Sequence, residues 1–159
     1  MHRTRLTGLT LLEVMITLLI LSVGLLSLAA LQTRALRLAE TAGMQDRAMR
    51  LVRDISERMR GNPAGVQHGD YRLVRGQPPA ATNGRALADL QAWTGGLAGL
   101  PAGSGEIIPC TRTTHIRCAH MDGHLVTVYW NATRDPAVIG YHCPPRTSSD
   151  HRCFRQLAP

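Results

Sequence analysis

The chain contains no lysine, and all 18 of its basic residues are arginine. A formal charge of +7 built in this way reflects a compositional bias, so the basic balance alone does not argue for nucleic acid. Aromatic residues are scarce as well: two Trp, three Tyr and one Phe leave few platforms for base stacking. No G-x-S-x-G, H-E-x-x-H or phosphate loop occurs, and no pair of acids is placed for general acid-base work. These absences argue against an enzyme and against a resident cofactor. Cysteine is missing before residue 110 and then appears as Cys110, Cys118, Cys143 and Cys153. An even count confined to one region suits two disulfides in an oxidising compartment. Length and composition, 159 residues of which 44% are apolar, allow one domain and an appendage.

Charge is missing from one place in particular. From Val14 to Leu31 no residue is ionisable, and as a helix this stretch spans roughly 27 Å, close to the hydrocarbon thickness of a bilayer. A single transmembrane helix is the first reading. A cleavable secretory signal is the alternative, given the basic start "MHRTR" and the small residues Ser27 and Ala29, but such signals have shorter apolar cores and carry no acid there. Arg3 and Arg5 before the run are balanced by Arg34 and Arg37 after it, so arginine counting does not orient the helix. Oxidised cysteines do: they place the C-terminal part outside the cytoplasm. Glu13 then sits just inside the membrane, where a carboxylate is costly without a partner.

From Arg34 to Arg60 the polarity rises while the helical period continues, with Leu38, Ala42, Met49, Val52, Ile55 and Met59 predicted as a buried stripe. Asp46 with Arg50 and Asp54 with Arg58 are spaced four apart, as solvated ion pairs on the opposite face require. Gly61 and Pro63 end this helix, and Gly24 and Gly43 inside it are places for a bend. Residues 61–85 read as a loop with a brief extended piece at Tyr71 to Val74. Leu87, Leu90, Trp93, Leu97 and Leu100 predict a short amphipathic helix, with Trp93 as a core anchor. "GEIIPC" and "HIRCAHMDGHLVTVYWN" predict strands with a hairpin at Asp122-Gly123, and "RCFRQL" a last strand. The fold class is α+β: a long N-terminal helix laid across a small antiparallel sheet.

Five histidines, His115, His120, His124, His142 and His151, lie among the cysteines, but Cys110/Cys118 and Cys143/Cys153 are spaced too widely for structural zinc pairs. No metal is expected. Of the three possible connectivities, the sequence-adjacent one is preferred, Cys110 with Cys118 and Cys143 with Cys153.

The stretch "GLTLLE" after a short arginine-containing leader resembles the prepilin signature: a leader cut after glycine, an apolar new N-terminus and glutamate as the fifth mature residue. Gly8, Leu9 and Glu13 occupy those positions, with leucine where the family usually has phenylalanine. The segments "ERMRGNPAG", "DLQAWTGGLAGLPAGSGEI" and "LVTVYWN" further resemble PilV-type minor pilins, the type IV pilus modification proteins. This resemblance implies the type IV pilin fold and three parts: a leader at 1–8, a transmembrane and filament-core helix at 9–33 and a periplasmic head at 34–159. It implies cleavage and N-methylation by a prepilin peptidase, residence in the bacterial inner membrane and then in the pilus, and assembly with other minor pilins and the major pilin beneath a tip adhesin. A minor pseudopilin of type II secretion is the nearest alternative. A DNA-receptor pilin is another, although the few aromatics and the paired helix arginines speak against specific nucleic acid binding.

Overall fold

The computed structural model describes residues 10–110 and 122–158. Gly8, Leu9, Cys118, His115 and His120 lie outside the described residues. The chain divides into two units, Met1–Glu40 and Thr41–Pro159.

Helix α1 runs without interruption from Leu11 to Arg60. Gly24 and Gly43 do not break it, and space is open where a side chain would stand at each. In the first unit every described residue is exposed. One expectation for the second half of α1 needs correction. Leu38 and Ala42 are exposed and Met49 is only half-buried, while the buried stripe is Met44, Ala48, Val52, Ile55, Ser56 and Met59. Its spacing of four, four, three, one and three keeps all six residues on one narrow face. The predicted ion pairs Asp46–Arg50 and Asp54–Arg58 both form at 3.0 Å on the outer face.

Pro63 does more than end α1. With Asn62 as its N-cap, it opens a second helical turn, α2 (Pro63–Gln67), inside the stretch read as loop. Proline suits this first position because its missing N–H is not needed there. Leu73 then forms a two-hydrogen-bond bridge with Ile107, the brief extended piece the sequence predicts. Helix α3 (Gly84–Leu97) is capped by the Asn83 side chain, which accepts from the amides of Arg85 and Ala86.

Three strands complete the second unit: β1 (Ser104–Cys110), β2 (Gly123–Trp130) and β3 (Arg152–Ala158), antiparallel in the order β1-β2-β3. The hairpin expected at Asp122-Gly123 is not the turn that forms. Gly123 is already the first residue of β2, opposite Cys110, and both edges of β2 are taken by β1 and β3. The glycine serves another purpose: its φ is +139°, and a side chain there would collide with the Ala158 carbonyl.

Trp93 is the centre of the core, with no exposed surface. Its indole N–H donates to the Leu51 carbonyl of α1 at 2.8 Å, and its ring lies against Gly105 of β1, where a Cβ would stand 2.5 Å from it. Ile55, Leu90, Val126 and Val128 are equally buried around it. The architecture is therefore α+β, with α1 and α3 packed on a small antiparallel sheet.

Candidate assembly helix and C-terminal loop

Two surfaces are candidates for function, one in each unit. The first is the N-terminal part of α1. Leu12, Met15, Leu19, Leu26 and Leu31 are each more than 60% exposed, so the apolar side chains of this segment face outward all round. The helix is long and apolar enough to cross a membrane. Four hydroxyls interrupt its apolar character, and all four are turned back onto the helix: Thr17 donates to Val14 O at 2.9 Å, Ser22 to Leu18 O at 2.6 Å, Ser27 to Val23 O at 2.9 Å and Thr33 to Ala29 O at 2.7 Å. Each donor is thus satisfied within the helix, which is what an apolar solvent requires.

Glu13 lies in the first turn, its amide bonded to the Thr10 carbonyl at 3.0 Å. A carboxylate there is favourably placed on the helix dipole. Among the described residues no basic group pairs with it. Gly8 and Leu9 lie outside the described residues, so the geometry of the expected cut is not described.

The second surface is the C-terminal loop. Cys143 and Cys153 are joined, with Cα atoms 5.8 Å apart, which removes both from any metal site. Cys110 is also disulfide-bonded, and Cys118 lies outside the described residues. Asp150, buried at the loop's end, organises the segment between. Its Oδ1 is 2.8 Å from His142 Nδ1, and its Oδ2 accepts from the amides of Arg146 and Thr147, both at 2.8 Å, and from the Thr147 hydroxyl. The bond to His142, followed by those amides, holds the Asp150 carboxyl well below the usual carboxylate range. His151 stacks on Tyr141 with ring centroids 4.1 Å apart, and the Arg75 guanidinium covers the other side of Tyr141 at 3.6 Å. This sandwich fastens the loop to the head by contacts from three separate chain segments.

A third polar cluster is structural and went unseen in the sequence. Asp89, on the buried face of α3, accepts from Tyr71 Oη at 2.7 Å and from Arg58 at 3.2 Å, while Asn62 donates to the same tyrosine oxygen at 3.2 Å. Burial, and then the bond to Asp89, raises the Tyr71 hydroxyl above its ordinary value and keeps it a donor. The only signal was an acid on the apolar side of a predicted helix. Spacing alone could not name its partners.

Residues 30–82 match the family model described as Tt1218-like, type IV pilin Tt1218. Over this stretch the chain is similar to a type IV pilin. The match covers one third of the 159 residues, from the exposed part of α1 through α2 and the Leu73 bridge to the segment before α3. It lies outside the signature at Gly8, Leu9 and Glu13, so the two likenesses rest on different residues. No curated protein and no solved structure matches the chain. A long apolar N-terminal helix, an antiparallel three-stranded sheet and a C-terminal disulfide agree with the type IV pilin fold. The likeness over these residues supports a pilin role.

Proposed function

We propose that this protein is a minor pilin of the type IV pilus, held in the inner membrane by α1 before assembly and then built into the filament near its tip. There it takes part in priming and in supporting a tip adhesin. The reading rests chiefly on one observation: a helix segment that is apolar on every side, with its hydroxyls bonded internally and one acid in its first turn. A secretory signal has no use for such an acid. The disulfide in the second unit supports a periplasmic position for the head.

In this reading residues 1–8 are a leader, removed by a prepilin peptidase between Gly8 and Leu9, and the new terminus is N-methylated. An amino group on Leu9, with a reference pKa near 8, stays largely protonated at neutral pH. Glu13 is then its counter-charge, in the same subunit or the next, and an unpaired charge in an apolar core favours the register that pairs it. The second disulfide in this reading joins Cys110 to Cys118.

The test is to compare wild type with Glu13→Ala in membranes and in sheared pili. Cleavage, insertion and head folding are expected to survive the substitution, while incorporation into pili drops. Equal incorporation would leave Glu13 an interfacial residue and remove the assembly argument. Intact-mass analysis of membrane-extracted protein checks the cut: the expected terminus is methylated Leu9, and one near Gln32 identifies an ordinary secretory signal instead.

A further inference from the structure

A cleft of about 410 Å³ opens between the turn that follows β2 and the Cys143–Cys153 loop, lined by residues of both. Ligand pockets are commonly about 300 to 1,000 Å³, so this one takes one or two sugar rings and not a folded partner. Two arginines, Arg146 and Arg152, stand on its wall, and their side chains form no ion pair among the described residues. The one acid on the wall, Asp150, has both oxygens engaged by His142, two amides and a hydroxyl. The arginines therefore dominate the charge that a ligand meets.

The walls are built before any ligand arrives. Asn131 is buried and ties its turn together, donating to Asp135 O at 2.7 Å and accepting from the Thr133 amide and hydroxyl. The facing loop is closed by the disulfide, and Ile139 and Gly140 both donate to Ser149 O, at 3.0 and 2.9 Å. The Arg146 amide is itself fixed on Asp150, so the root of this arginine is positioned from within the protein. Beside the arginines the lining includes the hydroxyl residue Ser148 and the apolar residues Val138 and Pro145.

We propose that this cleft binds a carboxylated sugar, as a free unit or within an acidic polysaccharide. Planar guanidiniums suit a carboxylate held by two parallel hydrogen bonds, the Ser148 hydroxyl suits a ring hydroxyl, and the apolar residues suit its C–H face. Nucleic acid fits less well, because no aromatic side chain lines the cleft to stack a base. The proposal goes beyond pilus assembly and does not rest on it, since binding is a property of the isolated chain.

The test is an NMR titration of the full ¹⁵N-labelled chain in detergent micelles, with glucuronate as probe and glucose, inorganic phosphate and a single-stranded oligonucleotide as comparisons. Saturable shifts at residues 131–138 and 145–152, with a Kd of about 1 mM or tighter for glucuronate only, are expected. Arg146→Gln and Arg152→Gln together should weaken binding at least about tenfold. Ser148→Trp, which fills the cleft and leaves both arginines in place, should do the same. No saturation up to roughly 20 mM, an equal response to glucose, or unchanged affinity in both variants overturns the proposal. Equal or tighter binding of phosphate or oligonucleotide at these residues also overturns it and reassigns the cleft to phosphate chemistry.

Discussion

The two stretches of α1 solve opposite problems with one backbone. From Leu11 to Glu40 the apolar side chains point outward and the polar hydroxyls turn inward, onto the helix's own carbonyls. From Thr41 to Arg60 the order reverses: Met44, Ala48, Val52, Ile55 and Met59 are buried, and Asp46–Arg50 and Asp54–Arg58 face out. The helix is continuous through both, so helicity itself does not distinguish them. What differs is the surroundings each surface suits, an apolar medium in one case, a folded head and water in the other.

This contrast can be broken most severely at Trp93. If the second stretch depends on its head, Trp93→Ala should destabilise the head by roughly 3 to 5 kcal/mol, since it removes the fully buried indole and its bond to Leu51. The first stretch should keep its helicity in detergent, which circular dichroism beside denaturant unfolding will reveal. Joint loss of both would mean that the helix has no independent character in either stretch. Next in size is Asp89→Ala, which leaves the buried Tyr71 hydroxyl without its acceptor and costs about 1 to 3 kcal/mol. A chemical-denaturation midpoint equal to wild type would show that Asn62 or water takes over.

Acid provides a more local break. Because the folded Asp150 carboxyl lies below its unfolded value near 3.9, its stabilisation is complete above that pH and is lost as pH falls through the lower folded value. The C-terminal loop should loosen below about pH 4, seen as a shift in the Tyr141 and His151 ring resonances, while the core around Trp93 persists. Asp150→Asn should remove that pH dependence. The smallest effect is expected at Gly43, near the boundary between the stretches. Space is open there, so Gly43→Ala should stabilise the helix by up to about 1 kcal/mol. A loss in thermal stability would mean that the glycine serves a bend or a close contact in the assembled state.

Much of this plan was legible in the sequence because it depends on period. The β-prone run "LVTVYWN", fourfold spacing of acid and arginine, and the unbroken apolar run translate directly into β2, the two ion pairs and the first stretch of α1. Misreadings arose where tertiary contact overrode a local signal. Asp122-Gly123 has the letters of a tight turn, but the glycine is needed for the close approach of Ala158. Leu38 and Ala42 have the right spacing for a head-facing stripe, yet the stripe begins at Met44 because period fixes a face and not where its covering starts. The sites were less visible still. Asp150 and Asp89 read as ordinary acids, and only the fold brings His142 to one and Tyr71 to the other.

The four hydroxyls that bond back to their own helix have a further consequence for movement between phases. A serine that found its partner in lipid headgroups, water or a neighbouring helix would have to surrender it on leaving that environment. Thr17, Ser22, Ser27 and Thr33 carry their acceptors with them, so in the proposed pilin reading their hydrogen bonds are the same on both sides of a transfer from bilayer to filament and cancel from its free energy. The balance of that transfer then falls on shape and on the single carboxylate of Glu13.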